Sequence, residues 1–373
     1  MKRMLIINNA GIGNGIIVLP VLAALERRFP GLQYYHVDNP VLDIADLVHL
    51  AGMKELAGRP PVHWRRFEPD VRRDLLGFIE EKDIEILVNL RKEAAEVDRN
   101  YFEFKADVEE RGVECWDLHE LEGENLFKYI GLQINDVFAL HGVNLDIDWN
   151  WLSIKGEKGD CPHGTVPFIP NRKDAKSKPE IRRTVIRGTD PWGQSLLLPT
   201  IGFLYAASRP VKRWAPSKWV EFTRELLART DCRIELMPGA TDDELESARE
   251  LMAGLESKSN TVAFIPGLSM KDKIERIRNL DMLVTHDTFG VHTAWAAGVP
   301  LVAINTATDG RIWSPPDSKR SIHVQSRYAM ECSRMKDDGT CDAFFDETIC
   351  RHECGEDITP GRVLKALISI LSY

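Results

Sequence analysis

The chain has 373 residues, of which 43% are hydrophobic and 28% charged, the balance of a globular protein long enough for two domains with separate cores. Lys and Arg number 48 against 57 Asp and Glu, a net charge of −9. That argues against nonspecific nucleic-acid binding as the main task and leaves room for a local basic cleft. No apolar run approaches the length of a membrane span. Polar residues and glycines from Asn8 to Gly15 interrupt the apolar start that follows Lys2 and Arg3, so no secretory signal is expected and a cytoplasmic location is.

In chain order, residues 4–7 read as a short buried strand, 8–15 as a glycine-rich turn and 16–29 as an amphipathic helix stopped by Pro30 and Gly31. A second strand at 33–37 ends before Asp38. This βαβ opening predicts a right-handed parallel unit. Gly11-Ile-Gly13-Asn14-Gly15 lies where strand feeds helix, and glycines there permit a tight turn and close approach by a ligand. The dinucleotide fingerprint wants its third glycine at position 16, which is Ile16, while Asp38 stands where a ribose-binding acid would. A nicotinamide oxidoreductase therefore remains an alternative. Residues 84–89 form another buried strand flanked by helices, and Arg91, Glu93 and Asp98 follow it, where ligands gather at the carboxyl end of a parallel sheet. An exposed charged helix is the other reading of those three.

Residues 153–199 are rich in Gly, Pro and Lys and read as an interdomain segment, with an acceptor loop as one use for it. Periodicity resumes with a strand at 201–206, a helix at 216–227, a strand at 233–237, a helix at 242–255, a strand at 262–265 and a helix at 271–277. Alternation on both sides of one linker predicts an α/β chain of two doubly wound domains. Their expected bounds are 1–155, an interdomain segment 156–199, a second domain 200–357 that takes in a cysteine-rich element, and a last amphipathic helix within 358–373.

Ser208-Arg-Pro-Val-Lys212-Arg213-Trp214 follows the first strand of the second half. A cation there can neutralise a departing diphosphate; a basic loop over packed tryptophans is the plainer reading. Acids at Asp242, Asp243 and Glu244 open the next helix and suit its dipole. Residues 283–300 read as a buried strand, a polar turn and a helix. Asp287 and Thr288 can both cap that helix, leaving free N–H groups for an anion. His292 lies one turn beyond Thr288 on the same face. A capped helix with a solvated histidine is the alternative. Four of the seven cysteines, Cys332, Cys341, Cys350 and Cys354, are spaced C-x8-C-x8-C-x3-C. Two disulfides would suit a secreted chain, so a structural four-thiolate site for zinc or iron is expected over free thiols. Cys115, Cys161 and Cys232 read as ordinary thiols.

Three of these stretches together resemble the bacterial heptosyltransferases, glycosyltransferase family 9. They are Asp287-Thr288-x-Gly290-x-His292 with Ala-Ala-Gly-Val-Pro after it, Lys212-Arg213-Trp214-x-Pro216-x-x-Trp219, and Gly13-Asn14 ahead of Leu19-Pro20. The resemblance implies a GT-B fold, two Rossmann-like domains facing across a cleft with a last helix returning to the first. It implies inverting, metal-independent transfer from a nucleotide-diphosphate sugar, ADP-heptose by analogy, to a lipid-linked saccharide, a protein serine or a small natural product. Lys212 would meet the phosphates with Ser208 and Arg213 close by. Asp287, Thr288, Gly290 and His292 would hold the diphosphate, and Glu244, or else Asp243, the ribose. Gly13, Asn14 and Gly15 would face the acceptor. The chain departs from the family at Phe289, where a glycine is usual, and at Asn14, where the general base is usually Asp. An amide cannot take up a proton, so Asp98, then Glu93, is the expected base. A non-catalytic nucleotide-sugar-binding protein is the further alternative. Some relatives that modify autotransporters carry an iron-binding cysteine element near the C-terminus, similar in kind and location to the four cysteines here.

Overall fold

The structure, a computed structural model, describes residues 3–8, 12–37, 69–90, 99–121, 129–152, 198–205, 207, 209–255, 261–336, 339–344, 349–350 and 353–372. The chain divides into two compact units. One is Met1–Leu152 with Arg311–Pro315 and Asp337–Gly339; the other is Ser153–Gly310, Pro316–Lys336 and Thr340–Tyr373.

The first unit is built from β1 (Arg3–Asn8), α1 (Ile12–Arg28), β2 (Gln33–Val37), α2 (Pro69–Lys82), β3 (Ile86–Leu90), α3 (Arg99–Glu110), β4 (Glu114–Asp117) and α4 (Ile130–Leu140). Its four described strands are parallel in the order β2-β1-β3-β4. All five residues of β3 are buried, as a strand covered on both faces requires. Leu5, Ile7 and Leu87 from the sheet meet Phe78 of α2 and Phe104 of α3 in one apolar cluster. Helix α1 begins at Ile12, earlier than its periodicity suggests. Gly13, Asn14 and Gly15 therefore occupy its first turn instead of a preceding loop. Glycine is tolerated there because the first N–H groups of a helix have no partner within it in any case.

The second unit holds β5 (Thr200–Leu204), α5 (Pro216–Arg229), β6 (Arg233–Met237), α6 (Asp242–Ala253), β7 (Val262–Phe264), α7 (Met270–Arg278), β8 (Met282–His286), α8 (Phe289–Ala297) and β9 (Leu301–Asn305). After a short α9 (Gly310–Trp313), whose residues from Arg311 on belong to the first unit, come β10 (Ser321–Gln325), α10 (Arg327–Glu331), α11 (Glu353–Asp357) and α12 (Pro360–Leu371). The six described strands run parallel in the order β10-β9-β8-β5-β6-β7. Right-handed crossovers put α5 and α6 on one face and α7 and α8 on the other, and each of these pairs packs together. The winding reverses between β5 and β8, which are neighbours. The carboxyl ends of those two strands are the switch point where an open parallel sheet receives its ligand.

The resemblance implies a last helix that returns to the first domain. Helix α12 lies instead on the second unit, against α5, β9 and β10. Its apolar face, Val363, Leu364, Leu367 and Ile370, is part of the same core as Trp219 and Phe222. Asp357, just ahead of it, accepts from Arg327 (2.8 Å) and Arg362 (2.8 Å). Burial alone would raise this carboxyl, but the two guanidiniums hold it at about 2. Among the described residues no helix is long and apolar enough to cross a membrane.

Candidate active site

Three loops meet at the carboxyl edge of the second sheet. The turn after β5 winds Pro210–Lys212 into one turn of 3-10 helix. The Nζ of Lys212 donates to Asp287 Oδ2 (2.7 Å) and to the Asp287 carbonyl oxygen (3.1 Å). From the loop after β9, Thr308 Oγ1 donates to the same Oδ2 at 2.8 Å, and Thr306 Oγ1 donates to the Val211 carbonyl at 2.9 Å. The Trp214 backbone N–H donates to His286 Nε2 at 2.8 Å. The loops after β5, β8 and β9 thus form one hydrogen-bonded ledge at the switch point. The Lys212 side chain is 18% exposed and that of Asp287 5%, so the ledge presents its cation and hides its carboxylate.

Of the two expected caps of α8, Thr288 takes the role, its Oγ1 accepting from the Gly290 N–H at 3.4 Å. Asp287 turns away from the helix because a buried carboxylate needs a cation and donors of its own. Burial would raise its pKa, and Lys212 and Thr308 more than offset that and hold it below the usual range. His292 is buried and not solvated. Burial pushes its imidazole down to about 4, against the pull of Asp287, so the ring is neutral at pH 7. The glycine displaced to position 290 has a packing reason. A Cβ there would lie 2.4 Å from Leu204 Cδ2 on β5, and only glycine lets the helix rest that closely on the sheet. Beneath the ledge Trp214 and Trp219 are fully buried, as the plainer reading of that loop expects.

The acids at the start of α6 are bound to protein groups. Asp243 pairs with Arg213. A hydrogen bond from Thr241, then Arg213, hold it at about 2. The Arg213 Nε also donates to the Ala207 carbonyl at 2.8 Å. Glu244, the acid expected at a ribose, completes a capping box: its Oε2 accepts from Thr241 Oγ1 (2.8 Å) and the Thr241 N–H (3.3 Å). Ser208, Asp98, Glu93, Arg91 and Asp38 lie outside the described residues. Thr308 was legible only as part of a loop; nothing local marks it as the partner of Asp287.

In the first unit the comparable feature is a buried network at the carboxyl ends of β3 and β4. Asp117 accepts from Asn89 Nδ2 (2.6 Å), Tyr101 OH (2.7 Å) and Lys105 Nζ (2.9 Å). An open depression of about 590 Å³ between α2 and α3 is lined by Arg72, Glu80, Glu103 and Arg111, where Arg72 pairs with Glu103 and Arg111 with Glu80.

The four clustered cysteines lie beside the ledge. Cys341 and Ala343 are buried with Val211 and Ala307, and Cys350 and Cys354 pack against them. Burial raises Cys354 to about 11 and moves Cys341 in the same direction; Cys332 and Cys350 are near enough to add to the rise at Cys341. Among the described residues no three thiol, imidazole or carboxylate groups are arranged to hold a metal. The expected four-thiolate sphere is not assembled; Cys341, Cys350 and Cys354 pack in the apolar cluster with Val211 and Ala307. The element is bound to the ledge by Lys218 Nζ, which donates to the carbonyls of Gly355 and Glu356 (both 2.9 Å), and by Trp214 Nε1, which donates to the Ile358 carbonyl (2.8 Å).

Residues 173–341 match Glycosyltransferase family 9 (heptosyltransferase). No curated protein matches the chain. Among solved structures it is similar to the ADP-heptose lps heptosyltransferase II of E. coli, with 19% identity, a TM-score of 0.57, and 100% of this chain and 98% of that one covered. The glycosyl transferase family 9 structure from Veillonella parvula DSM 2008 gives 14% identity and a TM-score of 0.59 over 99% and 97%. The iron-containing dodecameric glycosyltransferase TibC of enterotoxigenic E. coli H10407 gives 11% and 0.52 over 98% and 75%. At these identities the likeness is one of fold, GT-B.

Proposed function

From the match of residues 173–341 to Glycosyltransferase family 9 (heptosyltransferase), we propose that this chain is a glycosyltransferase that moves a heptose or related sugar from a nucleotide-diphosphate donor to an acceptor hydroxyl, with inversion. The observation that carries the reading is the Lys212–Asp287–Thr308 ledge at the switch point. A diphosphate seated there meets the Lys212 ammonium and the N–H groups opening α8, so charge that develops on the leaving group is met by donors already in place. Asp287 orients Lys212, and neutral His292 lies behind it. Arg213 is held near the same edge by Asp243, and Glu244 is the acid proposed to meet the ribose.

In the step itself the acceptor oxygen attacks the anomeric carbon in line, the bond from that carbon to the diphosphate oxygen breaks, and the hydroxyl proton passes to a base. Asn14 cannot be that base. Asp98 is proposed for it, with Glu93 next, and Gly13, Asn14 and Gly15 in the first turn of α1 are proposed to position the acceptor. The acceptor class remains that of the sequence reading: a lipid-linked saccharide, a protein serine or a small natural product. ADP-heptose is the proposed donor because the E. coli relative is named for it. A cytoplasmic location belongs to the same proposal.

The test is a thermal-shift panel of ADP, UDP, GDP and NAD. A ligand at about 100 times its Kd adds about 2.7 kcal/mol to native stability. A shift with a nucleoside diphosphate and none with NAD supports the donor site. A shift with NAD alone sinks it and returns attention to Asp38. Donor binding with no turnover against any acceptor favours the non-catalytic reading that Asn14 motivates. A structural zinc or iron on Cys332, Cys341, Cys350 and Cys354 is a subsidiary proposal, resting on four thiols in one neighbourhood that lack coordination geometry. About one metal per chain on elemental analysis is its expected sign.

A further inference from the structure

The carboxyl end of β6 is flanked from both faces of the second sheet. From one face, Glu244 of α6 lies against the turn that follows the strand. A Cβ on Gly239 would fall 1.9 Å from Glu244 Oε2, so the glycine leaves the space the carboxylate fills. From the other face comes Lys273, in the second turn of α7. It is 6% exposed, as is Glu244. Among the described residues the Lys273 side chain makes no hydrogen bond or ion pair, and the charge acting on it is that of Glu244. Burial pushes the ammonium below the ordinary lysine range and Glu244 works against that.

Its stem is buried while Nζ is not among the enclosed atoms, so an ammonium that no described group of the chain pairs is left for solvent or a bound group to complete. Its place says what that group is. Strands β8, β5, β6 and β7 are successive neighbours, about 4.8 Å apart. The line from the Lys212–Asp287 ledge past Glu244 to Lys273 therefore crosses only one or two strand spacings. With the diphosphate at the ledge and the ribose at Glu244, as proposed above, the base of the nucleoside would extend along that line.

We propose that Lys273 is a specificity-determining residue for the donor nucleoside, donating through Nζ to an acceptor atom of the base, a carbonyl oxygen or an unprotonated ring nitrogen. The inference rests on the donor-site reading. An ammonium has three donors and no acceptor, so it favours a base that offers a lone pair at that place and disfavours one that turns an amino group toward it. It acts on choice among nucleosides and leaves the grip on the diphosphate to Lys212.

The experiment titrates wild type, K273M, K273R and K212A with ADP, UDP, GDP and inorganic pyrophosphate by calorimetry. Methionine keeps the apolar stem and removes a cation that no described group of the chain pairs, so K273M should melt close to wild type. K273M should lose about tenfold or more in affinity for the preferred nucleoside diphosphate. It should also bind the three nucleotides more evenly and hold pyrophosphate as wild type does. K273R should recover part of the loss, and K212A should weaken all four ligands. Nucleotide affinities in K273M equal to those of a wild type that binds them would overturn the role of Lys273 alone. Wild-type protein that binds no nucleoside diphosphate would overturn the donor site, and this proposal with it.

Discussion

Each unit buries an aspartate at the carboxyl end of a parallel strand and gives it a lysine. Asp117 closes β4 and takes hydrogen bonds from Asn89 on β3 and from Tyr101 and Lys105 on α3; its own N–H donates to Glu120 Oε1 at 2.9 Å. Every partner but Glu120 sits on a strand or a long helix, and Asn89 and Tyr101 are fully buried. Asp287 stands one residue past β8, and its partners Lys212 and Thr308 come from the loops of two other strands. The first arrangement is closed within regular structure and braces helix to sheet. The second is held by loops at the switch point, where a ligand can share the cation. The same pair of residue types does different work according to the elements that carry it.

The largest effect expected from this contrast is on stability. Removing the buried partner in D117A should cost about 3 to 5 kcal/mol in urea denaturation and leave nucleotide affinity per folded molecule unchanged. A loss of nucleotide binding in D117A beyond its unfolded fraction would break the comparison. Next is K212A, which removes a charge-assisted donor. It should weaken nucleoside diphosphate binding about 10- to 100-fold per folded molecule by calorimetry, and it should also lower Tm because the buried Asp287 carboxylate loses its cation. D287A should follow in the same direction by releasing Lys212.

A third prediction concerns pH. Burial holds His292 at about 4, below the ordinary value near 6.5. As pH falls the unfolded chain takes up that proton first, so its contribution to stability is complete above about pH 6.5 and is lost on the way to about pH 4. The full loss amounts to about 3 kcal/mol. H292Q should flatten that part of the stability-against-pH curve; an unchanged curve would mean that the ring is not held neutral. The smallest effect is expected at the cysteines. C341A removes one sulfur from the cluster under Val211 and should cost about 1 kcal/mol, with a few-fold change in nucleotide affinity transmitted through Val211 and Lys212.

Much of the second unit was readable because buried parallel strands are continuous apolar runs, and β5, β6, β8 and β9 stand where those runs are. The strands β4 and β10 were not anticipated. Glu-Cys-Trp-Asp and Ser-Ile-His-Val-Gln are short and only partly buried, and neither has a run or alternation long enough to register. Glu244 was legible as an acid at a helix start; that its carboxylate caps Thr241 against Gly239 depends on a strand end it does not adjoin in sequence until the turn is folded.

The sequence by itself determined where strands end in polar turns, that Asp287 or Thr288 caps the helix after β8, and that a cation at Lys212 follows one strand while an acid at Asp287 follows another. These are consequences of local periodicity and of hydrogen bonds between near neighbours. Only the tertiary structure decided that Lys212 and Asp287, 75 residues apart, are hydrogen-bonded, that α12 covers the second sheet, and that Lys273 arrives beside Glu244 from the opposite face. Each of those depends on strand order and crossover direction. A single chain read by itself does not record them, because an apolar face or a charge can be satisfied by any partner that the fold brings within reach.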